Sequence, residues 1–385
     1  MPLNYLQLQA QIEQYSQRTE QMHREKASNL KIALGLLHDC GQRHSEIHAA
    51  LNEKITISRH SERCALLADS PADSFFDPPM SDLNYVLLAS DGSQIIPNPH
   101  DALPVALINT SRLYFNSGSG QPPKVDVKTQ WLTDDSGQIT LDEIREDLIS
   151  LKRDVEEMCV LAEWQDNTGL PLIALGDGAL ELFHQPQSDA VFSNAFEKYL
   201  SALKSLHSKG AITAGYTDRP RAALVVKMLE ICGDNSQQTQ LSRVEDLAIF
   251  SQILNPGQRS AVFGLWSSSS QKYTGDLALH FFYLNVGSQK FPWIARVEIP
   301  AWVASDPQRV DLLQRALLEQ CFLMGTRPYP YALHRAHEEA VVHYEEKEQL
   351  ISRLAIELQR RGLGVNAHSN KQSAKELRTR TRMEK

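Results

Sequence analysis

The sequence predicts an α/β protein with a mixed β-sheet core flanked by helices and a helical extension at the N-terminus. Apolar runs of strand length lie both early and late in the chain, and segments with helical periodicity lie between them. The chain has 385 residues, of which 42% are hydrophobic, so it can bury a large core in one sizeable domain or in a domain with helical additions.

The charge balance narrows the functional classes. The formal net charge is −8 and the pI is about 5.9. Proteins that hold nucleic acid through a general positive field have the opposite balance. A role in DNA processing therefore requires local basic patches or a partner that delivers the strand.

The five cysteines are far apart and include no Cys-x-x-Cys pair. We interpret them as reduced, mostly buried thiols, because this spacing indicates neither a disulfide framework nor a thiolate zinc site. Residues 1–13 contain no apolar signal-peptide core, and no later segment approaches the roughly 20 apolar residues of a membrane span. We therefore expect a cytoplasmic protein with no membrane contact.

The first part of the chain has a helical pattern. Residues 3–51 are rich in Gln, Glu, Lys and Leu and predict one or two long helices, which either pack on the core or mediate dimerisation. A loop rich in Pro, Asp and Ser is expected at 70–82. Residues 85–96 then predict two antiparallel strands or one bulged strand, with Asp91 at the break.

After a second strand pair near 106–114, residues 116–137 have a loop-like composition. Residues 141–164 have helical periodicity, opened by Thr140 as an N-cap with Glu143 three residues later. The rest of the chain alternates between the two patterns. Strands are expected at 170–175, 211–215, 260–265, 279–285 and 294–299, and helices at 194–208, 221–232, 308–324 and 330–361.

Two acids, Asp91 and Asp177, each follow an apolar run and precede a glycine. An ionised carboxylate at the end of a buried strand is costly to desolvate unless a cation neutralises it, and Mg²⁺ and Mn²⁺ prefer oxygen ligands. Two or three carboxylates with open coordination positions make a site for phosphodiester hydrolysis. A hairpin turn stays an open alternative for either acid, because Asp-Gly is a common turn dipeptide.

An ordered set of short motifs, spread over most of the chain from residue 85 to residue 354, resembles the NurA family of nucleases. The two acidic motifs come first, as LASDGSQ at 88–94 and LGDGALE at 175–181. The later motifs are GYTDRP at 215–220, FFYL at 281–284, RVEIPAWV at 296–303 and YPYALHRAH at 329–337. Each motif is short, but the ordered set is specific.

The resemblance implies a ribonuclease H-like core and a nuclease that uses Mn²⁺ or Mg²⁺ to cut DNA at single- and double-stranded ends. It further implies 5′-to-3′ exonuclease and single-strand endonuclease activity in DNA end resection, double-strand break repair and homologous recombination. The implied partners are a HerA-type hexameric ATPase, which acts as a translocase, and a second copy of the chain. The sequence has no Walker-type phosphate loop, so we expect the motor to lie in the partner. The many Gln, Asn and His residues indicate a mesophilic bacterial relative.

Five residues take the family's catalytic positions by resemblance. Asp91 and Asp177 match its acidic metal-binding positions, and Glu157 matches a glutamate on the helix before the second acidic strand. His337 is implied as a further metal ligand or as an acid or base, roles that suit an imidazole near neutral pH. Tyr329 is implied to contact the scissile phosphate or to stack on a base.

Ordinary structural roles compete with three of these assignments. The helix acid could be Glu156 instead of Glu157, and either could lie on a solvated helix face. His337 could be a surface histidine, and Tyr329 could be an aromatic packed beside a turn.

Two arginines are further candidate DNA contacts. Arg219 follows a predicted strand, but a salt-bridged turn before a helix is the better explanation for it. Arg296 lies two residues from Glu298 on one strand, so the two side chains share a face and fit a structural ion pair.

The expected organisation is an N-terminal helical extension at 1–80, a ribonuclease H-like nuclease domain at 81–361 and a tail without fixed structure at 362–385. The tail carries six Lys or Arg residues and either binds backbone phosphates or keeps the protein soluble.

Two rival functions fit the same fold. A non-catalytic scaffold would bind a DNA end or a translocase without cutting, but it predicts that the acids are lost, and both Asp91 and Asp177 are present. A metal-dependent phosphatase or RNase is the second rival, because carboxylates at strand ends do not select the phosphate ester.

Overall fold

The structure, a computed structural model, describes residues 5–57, 63–80, 84–97, 103, 105–132, 146–165, 167–182, 190–233, 241 and 243–363. The helices in this part are α1 Tyr5–Gln42, α2 His44–Ile57, α3 Glu146–Ala162, α4 Ala190–Ser208, α5 Leu224–Cys232, α6 Asp246–Ile253, α7 Ala301–Ala304, α8 Pro307–Leu323, α9 Tyr331–Ala340 and α10 Tyr344–Arg360. The strands are β1 Cys64–Leu67, β2 Phe75–Phe76, β3 Val86–Ile95, β4 Leu107–Asn116, β5 Lys124–Trp131, β6 Leu172–Asp177, β7 Ile212–Asp218, β8 Arg259–Ser260, β9 Phe263–Trp266, β10 Leu279–Asn285 and β11 Ile294–Pro300.

The chain forms two compact units, each assembled from separate segments. The described residues of Met1–Asp82, Gly178–Glu181 and Ala214–Pro330 make up the first unit, and those of Leu83–Asp177, Leu182–Thr213 and Tyr331–Lys385 make up the second.

The second unit contains a mixed sheet with strand order β6-β3-β4-β5. Strand β3 pairs antiparallel with β4 along its whole length, from Val86 opposite Asn116 to Ile95 opposite Leu107. Its parallel pairing with β6 is shorter and ends at Ser90 opposite Gly176. Helices α3 and α9 pack on β3 and β4, and α4 packs on α3. The central strands are apolar because they are covered by helices.

The first unit contains an antiparallel arrangement in the order β1-β9-β10-β11-β7, and the short strand β8 pairs with both β10 and β2. Helices α2 and α5 pack on β1, and α1 packs on α5 and α6. Stacked aromatic rings lie in its interior. The ring centroids of Phe250 and Tyr283 are 4.3 Å apart, and those of Phe263 and Phe281 are 5.7 Å apart. Ring stacking adds to the stabilisation from apolar burial.

The predicted class, an α/β protein with a mixed sheet, flanking helices and long helices at the N-terminus, is confirmed. The five cysteines, all within the described residues, form no disulfide, and Cys40, Cys64 and Cys321 are buried. None of the described helices combines the length and the hydropathy that a bilayer crossing requires. The predicted N-cap at Thr140 and the basic tail beyond residue 363 lie outside the described residues.

Several local predictions were wrong. The strand pair expected near 106–114 is the single strand β4, and the strand expected at 260–265 is divided between β8 and β9. Residues 86–95 form one continuous strand through Asp91, without a break, because β4 pairs with every position. Residues 124–131 are not loop but strand β5, whose mostly exposed pattern hides the apolar signal that a buried strand shows. The helix expected at 330–361 is two helices, and His343 begins the second with a capping box to Glu346.

Candidate active site

Asp91 lies in the second unit, where strand β3 passes from its buried half to its partly exposed half. The residue is 8% exposed, and its Oδ1 accepts a hydrogen bond from the Gly92 amide at 2.8 Å. The turn alternative for this acid is therefore wrong, because Asp91 is paired with Ser111 of β4 inside a regular ladder.

His337 is the direct partner of Asp91. Its Nδ1 lies 2.6 Å from Asp91 Oδ2, and the imidazole is 60% exposed while the carboxylate is 12% exposed. The contact joins α9 to β3 across 246 residues of sequence. The Asp91 carboxylate fixes the position of Nδ1, and much of the rest of the imidazole ring is exposed to solvent.

Three polar side chains hold α9 in place for this contact. Carbonyl oxygens near the C-terminus of a helix have no partner within the helix. Here the Ala340 carbonyl accepts from Asn109 Nδ2 at 2.9 Å and from Ser93 Oγ, and the Ala336 carbonyl accepts from Ser111 Oγ. These donors from β3 and β4 position the helix that carries His337.

Glu157 approaches β3 from α3. The side chain is 14% exposed, and Oε1 is 3.2 Å from Arg153 Nε. A Cβ atom at Gly92 would lie only 2.6 Å from Glu157 Oε1 and 2.7 Å from Arg153 Cγ. The glycine of the first acidic motif is therefore required for the close approach of α3 to the strand.

The surroundings of Glu157 are strongly acidic. Burial raises the pKa of the Glu157 carboxyl well above its usual range, and repulsion from Asp154, Asp91 and Asp177 adds to the effect, while Arg153 opposes it. Asp177 ends β6 at the position after Gly176, which pairs with Ser90, so it is level with Asp91. The following Gly178 has φ +92°, a backbone conformation that favours glycine.

Glu156, the alternative helix acid, has different neighbours. Its side chain is 9% exposed and is paired with Lys198, and its Oε2 is 3.5 Å from Lys128 Nζ. Of the two glutamates, Glu157 is the one whose electrostatic neighbours include Asp91 and Asp177.

The structure therefore brings Asp91, Glu157, Asp177 and His337 into one unit. The remaining predicted residues belong to the first unit. Tyr329 packs edge-on against Tyr216, with ring centroids 5.6 Å apart at 86°, so its predicted alternative as a packed aromatic agrees with this contact.

The two candidate DNA-contacting arginines differ in exposure. Arg219 is exposed, has φ +41°, and places its guanidinium 4.8 Å from the centroid of the Trp293 ring. Arg296 is 4% exposed and pairs with Glu298 at 2.9 Å, so the predicted ion pair is confirmed. A DNA contact by Arg296 does not fit this burial.

Sequence reasoning missed Arg153 and Asp154, which frame Glu157. The Arg153 guanidinium donates to Asp154 Oδ1 from Nη2 at 2.8 Å. Burial lowers the pKa of Arg153, but the carboxylates of Asp154 and Glu157 outweigh it and hold the pKa above its ordinary value. The i,i+4 spacing of Arg153 and Glu157 on a predicted helix was the available signal.

Alternation along β3 explains why the acids are not already gathered around one point. Asp91 and Ser93 contact α9, whereas Gly92 lies against α3 and Gln94 Nε2 donates to Ser150 of α3. The Asp91 side chain therefore lies on the face of β3 that α9 covers, and Glu157 approaches the strand on the face that α3 covers. Among the described residues, no three His, Cys, Asp or Glu side chains are arranged to hold a metal ion directly.

The fold and the site define an α/β protein in which two carboxylates on neighbouring parallel strands influence a buried glutamate on a helix, and a histidine contacts one of the two. The NurA domain family model matches residues 85–342, about two thirds of the chain. The chain therefore belongs to the NurA family of nucleases.

Solved structures to which the chain is similar include nucleases. The NurA nuclease from Sulfolobus solfataricus is 12% identical, with a TM-score of 0.47 over 83% of this chain and 96% of the other. A second NurA structure is 10% identical, with a TM-score of 0.40 over 81% and 96%. The catalytic domain of human endonuclease V is 14% identical, with a TM-score of 0.34 over 79% and 95%. No curated protein matches the sequence.

Proposed function

We propose that this protein is a divalent-metal-dependent deoxyribonuclease that hydrolyses phosphodiester bonds at DNA ends and in single strands. The observation that carries the proposal is that Asp91 and Asp177 both act electrostatically on the buried carboxyl of Glu157 in one unit of a NurA-family chain. Membership of the family supports nuclease chemistry, and the resemblance supports DNA as the substrate.

The donor set fits Mg²⁺ or Mn²⁺. Both ions prefer carboxylate oxygens. Burial raises the pKa of the Glu157 carboxyl, and repulsion from Asp154, Asp91 and Asp177 adds to the rise, so a bound cation would stabilise the ionised carboxylate. Asp91, Glu157 and Asp177 would hold the ion, with His337 as a further ligand. The bound ion would supply Lewis-acid activation of the phosphate and of an attacking water.

The chain's own groups orient and move protons. Asp91 accepts from or shares a proton with His337 Nδ1, which leaves Nε2 as the ring nitrogen that can exchange a proton with substrate or water. Because the imidazole is 60% exposed, substrate can reach it. Tyr329 and the exposed Arg219 are proposed DNA contacts, through a phosphate or a stacked base.

The wider proposal follows the resemblance. It comprises 5′-to-3′ resection of DNA ends in double-strand break repair, a HerA-type translocase as motor, and a homodimer to which the N-terminal helices contribute. The proposed domain division remains 1–80, 81–361 and 362–385, and strands β1 and β2 show that the first of these segments also contributes to the sheet.

The test compares cleavage of end-labelled single- and double-stranded DNA in Mn²⁺, in Mg²⁺ and in EDTA, with a single-stranded RNA of the same sequence as competitor. The proteins are the full chain, the Asp91→Asn and Asp177→Asn double variant, and Asp126→Asn. Asp126 is an exposed acid of β5 paired with Arg112, so its variant controls for loss of a surface charge.

We expect metal-dependent DNA cleavage by the full chain and by Asp126→Asn, and loss of cleavage in the double variant with its circular dichroism spectrum unchanged. Equal inhibition by RNA would instead support a general phosphodiesterase. Absence of cleavage by the full chain, with the translocase also present, would overturn the proposal in favour of a non-catalytic scaffold.

A further inference from the structure

Arg153 lies among the acids of the candidate active site. Its Nε is 3.2 Å from Glu157 Oε1, and its Nη2 is 2.8 Å from Asp154 Oδ1. Asp91 is a further carboxylate that acts on its charge. The guanidinium thus supplies positive charge to the same carboxylates that would bind a metal ion.

Glu157 Oε1 cannot pair closely with the Arg153 guanidinium and with a divalent metal ion at the same time. Arginine keeps its proton in proteins, so it can yield to a metal ion only by moving its guanidinium away. Its stem lies against Gly92, where a Cβ would meet Arg153 Cγ at 2.7 Å. The stem is therefore held by the strand, and the movement is confined to the far end of the side chain, which is 31% exposed.

We propose that Arg153 is the resident counter-cation of the acid cluster in the metal-free protein and binds a DNA phosphate once a divalent ion has replaced it at Glu157. This inference rests on the proposed nuclease function. A guanidinium presents a planar fork of donors that matches a phosphate, and the substrate brings that phosphate to the ion. Arg153 therefore exchanges the Glu157 carboxylate for the DNA phosphate that lies beside it.

The competing explanation is an ordinary i,i+4 ion pair that stabilises α3. The two explanations differ in the sign of one measurement. A helix-stabilising arginine supports the site, so its loss would weaken metal binding. A resident counter-cation competes with the metal, so its loss would strengthen metal binding.

The first experiment is a Mn²⁺ titration of the full chain without DNA, followed by electron paramagnetic resonance of the free ion at about pH 8. The variants are Arg153→Gln, which keeps the stem against Gly92, Arg153→Lys, which keeps the charge, and Arg361→Ala. Arg361 is a matched control, because it forms an exposed i,i+4 pair with Glu357 at 2.9 Å.

We expect Arg153→Gln to bind Mn²⁺ roughly tenfold more tightly than the wild type, and the Lys and Arg361 variants to stay within about threefold of it. Unchanged or weaker Mn²⁺ binding by a folded Arg153→Gln would overturn the inference. If Arg153→Gln does not fold, equal Mn²⁺ affinity of Arg153→Lys at low and high ionic strength would count against competition, since exchange of two cations at one carboxylate depends on salt.

The second experiment measures cleavage of single-stranded DNA at saturating Mn²⁺. Arg153→Gln should lower kcat/KM by about 10²-fold, and Arg153→Lys should restore part of it, because lysine supplies charge without the fork. Unchanged cleavage by Arg153→Gln, with an active wild type, would overturn the inference alone. An inactive wild type would overturn the proposed function and the phosphate half of the inference, while the Mn²⁺ titration would still decide the counter-cation half.

Discussion

Gly92 sets how closely α3 approaches β3. We expect Gly92→Ala to lower DNA cleavage by about 10²-fold, because an added methyl group would displace Glu157 and Arg153 from the strand, and small misplacements at a reacting centre are costly. Cleavage kinetics in Mn²⁺ check this, together with thermal unfolding to show that the variant is folded.

Gly176→Ala is the matched control for this substitution. A Cβ at Gly176 meets no atom within 4 Å, so the variant should keep the wild-type rate. Equal activity of both alanine variants would show that the close approach at Gly92 does not matter for chemistry.

The two adjacent glutamates of α3 should separate chemistry from stability. Glu157→Gln should abolish cleavage while changing the free energy of unfolding little, because the buried carboxyl is already unfavourable in its charged form. Glu156→Gln should retain cleavage but lower the free energy of unfolding by about 1 kcal/mol or less, because its partners Lys198 and Lys128 are half exposed and are solvated when the carboxylate is lost. Urea unfolding and kinetics on both variants check this, and the reverse pattern would assign the site to Glu156.

Helix α9 depends on polar residues of the strands beneath it. Asn109 donates to the Ala340 carbonyl at 2.9 Å and accepts from Thr129 Oγ1 at 2.6 Å, and the residue is 8% exposed. Asn109→Ala should lower the free energy of unfolding by about 1 kcal/mol, because the Ala340 carbonyl loses one of its two side-chain donors and keeps Ser93 Oγ. The substitution should also slow DNA cleavage, because it loosens the helix that positions His337.

Hydrogen exchange of the α9 amides measures this effect directly. Faster exchange should be confined to α9, with the β10 and β11 amides unchanged. Uniform acceleration across both units would indicate global destabilisation in place of a local docking role.

Elements with strong local patterns could be predicted from the sequence, and those that depend on distant partners could not. Strand β10 was predicted at its observed bounds because most of its residues are apolar or aromatic. Strand β5 was missed because it is mostly exposed, and helix α6 because it spans only eight residues.

The same division applies to the site. Asp91 and Asp177 were found because each stands out against an apolar run. The contact of His337 with Asp91, and the approach of Arg153 to Gly92, join elements far apart in sequence, so no local pattern reports them.

The stability of the whole molecule should depend on pH through one buried acid, Asp246. It accepts hydrogen bonds from the Val225 and Val226 amides and from Tyr283 Oη at 2.6 Å. Burial raises the pKa of Asp246 to about 6, although these hydrogen bonds oppose the rise. The folded state therefore binds this proton more tightly than the unfolded state does.

A raised acid pKa fixes the sign of the pH dependence. Stability contributed by this group is present below its unfolded pKa of 3.8 and is lost as pH rises through about 6, a difference of roughly 3 kcal/mol. Urea unfolding between these pH values, compared with Asp246→Asn, should show the wild type losing stability relative to the variant. Parallel curves would contradict the assignment to Asp246.

The division of each unit into several segments has a consequence for synthesis. The chain passes between the two units five times, and the first unit is complete only at Pro330. Neither unit can finish folding while most of the chain is still on the ribosome, because each needs a segment that is translated late. Simple truncation cannot isolate either unit. A nascent chain must keep the apolar strands β3 and β6 from aggregating until α9, which packs on β3, has been translated.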